Sequence, residues 1–110
     1  MSKTSLYPMK ELKIIANAKD LSYLTGLLDR HTTGYTILDY ISGKGHHGFH
    51  KGHSLFNETA GSRMFIAVLP EEKLDCIVAG LKILLEDKEV VLFISDVSVI
   101  REGYFQSQNI

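Results

Sequence analysis

The sequence predicts a single α+β domain in which two helices cover one face of a four-stranded antiparallel sheet. The chain has 110 residues, the usual length of one domain, and its 45% hydrophobic content is enough for one packed core. Strand-like and helical patterns follow one another in the order β, α, β, β, α, β, which favours two layers around that core. We therefore expect residues 1–110 to form one domain, with a loose polar tail over about 102–110.

The first strand is predicted over residues Glu11 to Ala16. Leu12, Ile14 and Ala16 alternate with charged neighbours, the period of a half-buried strand. Asn17 or Asp20 then offers an N-cap for a first helix. The apolar residues of that helix recur at helical spacing up to the Thr32-Thr33-Gly34 stop, and they are Leu21, Leu24, Leu27 and Leu28.

Two β-branched and aromatic runs, Tyr35 to Ser42 and Met64 to Leu69, are predicted as the second and third strands. Pro70 follows at a first-turn position, with two glutamates behind it, and begins a second helix. The apolar residues of this helix are Leu74, Ile77, Val78, Leu81, Leu84 and Leu85. Val90 to Ser95 is predicted as the fourth strand, with Val97 and Val99 as a short extension. The order of these elements is that of the split βαβ or ferredoxin-like sandwich.

The predicted sheet has apolar residues on both faces. Ile15 lies opposite the main apolar face of the first strand, and the third strand is apolar on both sides from Phe65 to Leu69. A bare sheet face of this kind is an unusual patch on a monomer, so we expect a homo-oligomer.

Charge and cysteine content exclude several classes of protein. The formal net charge is -1 without a block of Lys or Arg, which argues against a nucleic-acid or membrane-surface binder. Nearly apolar stretches such as Val90 to Ile94 are far too short to cross a membrane, and the N-terminus has no signal-peptide core. Cys76, the only cysteine, cannot form an internal disulfide and is expected as a buried or half-buried filler of the second helix. A cytoplasmic location is the natural expectation.

The segment from Gly43 to Ser62 joins two strands that a hairpin of two to five residues would ordinarily connect. It opens with the sequence Gly43-Lys44-Gly45-His46-His47-Gly48. Its glycines allow the backbone to approach a ligand closely, and its lysine and histidines offer charge to an anion, so the run is interpreted as a phosphate cradle. The alternative is that these glycines provide only flexibility.

Three short motifs resemble the PII family of signalling proteins. Thr33-Gly34-Tyr35-Thr36 enters the second strand, the glycine-rich run opens the long segment, and Val99-Ile100-Arg101 follows the last strand. PII proteins carry similar motifs in this order, and their long segment is called the T-loop. The resemblance covers roughly Lys10 to Arg101. It implies a homotrimer that catalyses no reaction, binds an adenine nucleotide in each cleft between subunits, and reports its ligand state to a partner protein through the T-loop.

The same resemblance implies a set of nucleotide-binding residues. Those near the adenine and ribose would be Gly34, Tyr35 and Thr36. Those along the phosphates would be Gly43, Lys44, Gly45 and His46, supported from the C-terminal side by Arg101. The T-loop has few large apolar residues, so we expect it to be mobile when free, and Phe49 and Phe56 are the aromatic anchors that a partner would bury.

Departures from the PII pattern refine this expectation. ATP-binding members have a glycine-rich loop before the last strand, whereas this chain has Leu85-Glu86-Asp87-Lys88-Glu89-Val90, with three acids and no glycine. Carboxylates near a triphosphate would repel it, which favours AMP, ADP or a cyclic mononucleotide over ATP. Gly103 lies near the position where PII proteins usually have a second basic residue after the arginine of the Val-Ile-Arg motif. The T-loop also lacks the tyrosine that is modified in some nitrogen-regulatory members.

These departures bring the chain nearer to divergent PII-like proteins associated with inorganic carbon (bicarbonate) uptake. The partner would then be a membrane transporter or an enzyme, and the protein would be cytoplasmic and recruited by a transporter to the inner face of the membrane. No dedicated cofactor is expected.

Three other interpretations remain open at the level of sequence, and one of them is a purely structural interaction module. His46, His47, His50 and His53 are dense enough to chelate a transition metal, which would give a divalent-metal-binding trimer similar to the CutA group. The alternatives to a metal site are that these four histidines are solvated loop residues, or that they form a pH-responsive element. A catalytic interpretation would depend on Asp39 and Asp96, which are isolated carboxylates in the sequence and are expected as solvated surface residues without a partner.

Overall fold

The computed structural model describes residues 4–45, 48–50, 61–86 and 90–101. A short 3-10 turn, Ala18–Asp20, precedes the first helix. The strands and helices in chain order are β1 (Tyr7–Asn17), α1 (Leu21–His31), β2 (Thr36–Ile41), β3 (Gly43–Gly45), β4 (Gly48–His50), β5 (Ser62–Leu69), α2 (Glu71–Leu85) and β6 (Val91–Val99).

Four of the strands form one antiparallel sheet in the order β2-β5-β1-β6, and β3 and β4 form a separate two-stranded hairpin. The two central strands, β1 and β5, pair along eight residues, from Lys10 opposite Leu69 to Asn17 opposite Ser62. Both helices lie on one face of this sheet, and the predicted ferredoxin-like βαββαβ sandwich is confirmed.

The core lies between the helices and the sheet because the apolar residues of both layers follow the periods of their elements. On β1, Leu12 and Ile14 are each 1% exposed, and their partners on β5 in the ladder, Ala67 and Phe65, are buried on the same face. The residues that α1 and α2 bury against them are Leu24, Leu27, Leu28, Ile77 and Leu81. These are the positions that helical spacing predicts.

The helix ends differ in detail from the predicted ones. Asn17 precedes the 3-10 turn and Asp20 precedes α1, but the side chain of neither makes a capping hydrogen bond. Pro70 occupies the N-cap position rather than the first turn, with φ -64° and ψ 151°, and its carbonyl accepts the Lys73 amide at 3.0 Å. The C-terminus of α1 closes on Thr32, whose amide and hydroxyl both donate to the Leu28 carbonyl.

Cys76 is exposed, so its predicted burial is wrong. Ile77 and Leu81 are the residues of α2 that turn into the core, and the adjacent position therefore lies on another side of the helix.

Strands β1 and β6 are longer than the sequence predicts. They pair from Tyr7 opposite Val99 to Ile15 opposite Val91, so the predicted extension at Val97 and Val99 belongs to the same strand. The ladder between β1 and β5 begins at Lys10 and does not include the residues of β1 that precede it. Pro8, which has no N–H to donate, therefore lies where β1 is paired on one side only, a position that tolerates proline.

The second face of the sheet is open to solvent in the single chain and is largely apolar. We call it the open face, and by alternation and register its apolar members include Ile15, Leu38, Met64, Ile66, Val68, Val91 and Phe93. Leu38 is 43% exposed and Phe93 is 53% exposed. A polar strip crosses this face, in which Lys13 Nζ lies 3.6 Å from Glu11 Oε1 and Ser95 Oγ lies 3.5 Å from the same oxygen. The open face therefore has both the apolar area and the polar groups of a contact surface.

Within the described part of the chain, no helix has the length and hydrophobicity that a membrane span requires.

Candidate functional site

The first predicted site segment, Gly34 to Thr36, leads from the end of α1 into β2. Tyr35 is half-buried and packs against the core, and its hydroxyl hydrogen-bonds to Asp29 on α1. Burial, and then the hydrogen bond and the charge of Asp29, raise the pKa of Tyr35 above its ordinary value of 10.0. The Tyr35 side chain thus packs in the helix layer, so only its backbone would be available to a ligand on the other side of β2.

Thr36 has the opposite orientation. It is exposed and pairs with Ile66 of β5, which places both residues on the open face. Leu38 pairs with Met64 on the same face, so an apolar platform adjoins the threonine hydroxyl. Such a platform suits a flat, weakly polar ring, with a hydroxyl at its border to hydrogen-bond the ring or an attached sugar. The platform has no signal in the sequence, because only the register between β2 and β5 brings these residues together.

The second predicted segment, at the start of the T-loop, is a hairpin rather than an irregular loop. Gly43 pairs with His50, Lys44 with Phe49, and Gly45 with Gly48. Strands of three residues rich in glycine have low β propensity and give no periodic signal, so sequence could not predict them. In an antiparallel pair, alternate N–H groups of each strand point away from its partner, so β3 keeps outward donors that an anion can accept. The T-loop also ends at Gly61, since Ser62 begins β5.

Arg101 is exposed two residues beyond the end of β6 and lies far from both other segments. Val99 pairs with Tyr7, whereas Ile41 pairs with Ser62, the partner of Asn17. The T-loop base, where Ile41 leads into Gly43, therefore lies near the Asn17 end of β1, whereas Arg101 lies beyond the Tyr7 end. The ten residue steps from Tyr7 to Asn17 correspond to a separation of roughly 33 Å.

The start of β2 is also remote from Arg101 within one chain. Since β2 and β6 are the two edges of the sheet, three strand spacings, roughly 14 Å, separate them in the transverse direction alone. The three predicted segments thus lie at three separate places on one chain, and a ligand that touches all of them needs a second copy of the chain.

Both carboxylates that were expected to lack partners make ion pairs. Arg63 Nε lies 2.7 Å from Asp39 Oδ1, and Lys10 Nζ lies 2.5 Å from Asp96 Oδ1. The hydrogen bond to Asp96 raises the pKa of Lys10 above its ordinary value of 10.5, against a smaller opposing effect of burial. The carboxylates themselves are largely exposed, as expected, and each ion pair joins two neighbouring strands at the surface of the sheet.

Several predicted residues fall outside the described parts of the chain. They are His46, His47, His53, Phe56 and the acidic residues Asp87 and Glu89. His50 and Phe49 lie on β4. Where the structure describes the chain, it has no group of three or more His, Cys, Asp or Glu residues that could hold a metal ion.

Comparison with known proteins places these features in a family. The family model for nitrogen regulatory protein P-II matches residues 9–104. No curated protein matches the chain. A structure of CPII, a nitrogen regulatory PII-like protein from Thiomonas intermedia K12, is bound to ADP, AMP and bicarbonate; it is 39% identical, with a TM-score of 0.87, over 96% of this chain and 100% of that chain.

Two more distant structures share the fold. A PII-like signaling protein from Thermus thermophilus is 20% identical with a TM-score of 0.74, over 92% of this chain and 98% of that chain. CutA1 from Oryza sativa is 14% identical with a TM-score of 0.55, over 88% of this chain and 84% of that chain. At these identities the likeness concerns architecture alone.

Proposed function

The chain belongs to the PII family, and from that premise we propose that it is a signalling protein that binds AMP or ADP in clefts between the subunits of a homotrimer. PII proteins are generally trimers and act as signalling regulators rather than enzymes. The same role is proposed here, with no catalytic residue and no resident cofactor.

The observation that carries the proposal is the separation of the predicted site within one chain. Gly34 to Thr36, the T-loop base and Arg101 occupy different edges and ends of the sheet. A cleft between two chains can bring a T-loop base from one subunit near the end of a strand from another. The open face supplies the surface on which such copies would associate, since its apolar residues would otherwise remain in water.

The nucleotide is assigned from chemistry and from kinship together. Thr36 and the apolar platform of Leu38, Met64 and Ile66 suit a base and its ribose, and the outward N–H groups of β3 suit a phosphate. The related CPII protein is bound to ADP and AMP. We assign AMP or ADP, rather than ATP, because the acidic run from Glu86 to Glu89 would repel a third phosphate.

The output is proposed to be regulation of a membrane transporter or an enzyme through the T-loop, in the context of inorganic carbon (bicarbonate) uptake. CPII is bound to bicarbonate as well as to nucleotide, and the identity of 39% supports a related effector set here. A protein that acts in this way would be cytoplasmic and would be recruited to the inner face of the membrane by its transporter.

Titration calorimetry tests the effector directly. AMP, ADP, ATP, bicarbonate, Zn²⁺ and Cu²⁺ are titrated separately into the full chain, and bicarbonate is repeated with saturating ADP. Binding of AMP or ADP in a ratio of one per chain supports the proposal. Binding of Zn²⁺ or Cu²⁺ without any nucleotide would replace it with the metal-binding interpretation of the loop histidines.

A further inference from the structure

Strand β2 contains a bulge shortly before the T-loop. Leu38 pairs with Met64 and Ile41 pairs with Ser62, with a shift of register between the two pairs. Two residues of β2, Asp39 and Tyr40, therefore lie opposite the single residue Arg63 of β5. A two-against-one count of this kind bends the strand, increases its local twist and redirects the chain beyond it.

Arg63 is both the residue opposite the bulge and its ionic partner. Its Nε lies 2.7 Å from Asp39 Oδ1, and only 10% of its side chain is exposed, against 54% for Asp39. A guanidinium at this depth has lost most of its water, so the carboxylate is a large part of its compensation. The pair thus joins the extra residue of the bulge to the opposite strand through a largely buried guanidinium and a half-exposed carboxylate.

The pair lies at the point where the T-loop leaves and rejoins the sheet. Ile41 opposite Ser62 is the last β2–β5 pair, and β3 begins two residues later at Gly43. On the returning side, the Gly61 carbonyl accepts the Ala18 amide at 2.9 Å, which fixes the loop end to the turn after β1. The returning end is therefore held by the backbone, and the outgoing end passes directly from the bulge to the loop.

We propose that Arg63 and Asp39 are positioning residues that lock the bulge in β2 and thereby set the direction in which Gly43 to Gly45 leaves the sheet. The effect on nucleotide binding rests on the proposed function, in which Gly43 to Gly45 supplies the phosphate donors of the nucleotide site. Arg63 need not touch the ligand. Its effect on affinity arises because a fixed bulge holds β3 in its binding orientation before the nucleotide arrives.

The test compares four variants by hydrogen exchange of the free protein, calorimetry with ADP and denaturant unfolding. Asp39→Asn removes the charge and keeps the shape, Arg63→Leu removes the guanidinium, and Asp39→Glu restores the carboxylate on a longer side chain. Asp96→Asn is the matched control, because it removes an ion pair of the same sheet from the β1–β6 edge, where the register is regular.

Asp39→Asn is expected to accelerate exchange of the amides at 41–45 and 48–50 by about fivefold to thirtyfold, the factor for a loss of one or two kcal/mol. ADP should bind about as much more weakly, and Asp39→Glu should recover most of both losses. Asp96→Asn should change neither. Denaturant unfolding shows how much global stability Asp39→Asn loses, and a merely structural role would accelerate exchange throughout β1 and β5 rather than at the loop base.

Unchanged exchange at 41–45 in a folded Asp39→Asn protein would overturn the proposal. If Arg63→Leu does not fold, the Asp39 variants decide the question alone. Because the exchange arm uses the free protein, it is separable from the proposed function. Failure of the unsubstituted protein to bind ADP would refute the nucleotide site, and the exchange arm would still show whether the pair locks the bulge.

Discussion

Leu27 of α1 leaves no room for a side chain on Gly80 of α2. A Cβ added to Gly80 would lie 2.5 Å from Leu27 Cδ1 and 3.1 Å from Cδ2. Leu27 is only 2% exposed, so its methyl groups have little space to move into. At the same contact the Tyr23 hydroxyl donates to the Gly80 carbonyl at 2.5 Å, which joins the two helices at this point.

We therefore expect Gly80→Ala to destabilise the fold by about 1–2 kcal/mol, because overpacking exceeds the gain in helix propensity. Gly26→Ala is the matched control on α1, where the added Cβ meets only Arg30 Nη1 at 3.8 Å. That variant should be more stable by about 0.5–1 kcal/mol. Denaturant unfolding at one protein concentration gives both values, and a Gly80→Ala protein as stable as Gly26→Ala would show that the helices can separate at little cost.

The elements that sequence predicted well are those whose burial follows a single period. Leu12 and Ile14 alternate with Lys13 on β1, and Ile77 and Leu81 repeat on α2, so each pattern identified both the element and its buried side. The start of β1 was missed because Pro8 and Lys10 interrupt the alternation. It is a strand only because β6 pairs with it, and pairing between residues so distant in sequence has no local signal.

The candidate site was predictable as a set of motifs but not as a geometry. Thr36 could be assigned from its motif, whereas the neighbouring Ile66 depends on the β2–β5 register. The bulge at Asp39 is equally invisible in sequence, since one extra residue in a strand leaves its composition unchanged. Asp39 consequently was expected to have no partner, although Arg63 lies beside it.

Alkaline pH should destabilise the protein through Tyr35. Burial and Asp29 raise the pKa of its phenol in the folded state, so folding favours the neutral form. This contribution is fully present below the ordinary pKa of 10.0 and is lost as the pH rises through the higher folded value. Asp29→Ala should lower the Tyr35 pKa by removing the hydrogen bond and the charge, while the effect of burial remains.

The measurement is an absorbance titration of tyrosinate, with Tyr35→Phe used to identify the Tyr35 transition by difference. Asp96→Asn is the control, since that carboxylate pairs with Lys10 at the other edge of the sheet and should leave the transition unchanged. A Tyr35 transition that is the same in Asp29→Ala and in the unsubstituted protein would contradict the interaction.

The open face should be the surface on which copies of the chain associate. Phe93→Asp would place a carboxylate on it, and burial of an unpaired charge costs several kcal/mol, so the proposed trimer should dissociate. Ile83→Asp is the matched control, because Ile83 is 71% exposed on α2 and lies outside the open face. Sedimentation at micromolar concentration distinguishes the two variants. A monomeric unsubstituted protein, or a trimer that tolerates Phe93→Asp, would exclude this face as the interface.

The nucleotide preference should follow charge, with AMP or ADP binding more tightly than ATP. Glu86, Asp87 and Glu89 would oppose an added phosphate. Replacement of all three by glutamine should improve ATP affinity more than AMP affinity, and increasing salt should reduce the difference between the nucleotides. Calorimetry at two ionic strengths checks the order. ATP binding clearly tighter than ADP binding in the unsubstituted protein would mean that these carboxylates do not face the phosphates.

Substitutions in the T-loop should affect partner binding, whereas substitution of Arg101 should affect nucleotide binding. Phe49 and Phe56 are the large aromatic residues of the T-loop, and a partner that buries them would gain most of its affinity from two side chains. Phe49→Ala with Phe56→Ala should therefore abolish capture of the transporter or enzyme in a pull-down with candidate partners, while trimer mass and ADP affinity stay nearly unchanged.

Arg101→Ala should do the reverse and weaken ADP binding by about tenfold, the effect of losing roughly 1.4 kcal/mol of charge-assisted hydrogen bonding to phosphate. Partner control would then change only through the lost nucleotide, and excess ADP should restore it. If the double alanine protein unfolds or loses its trimeric mass, the two rings belong to the core or the interface, and the T-loop is not the output element.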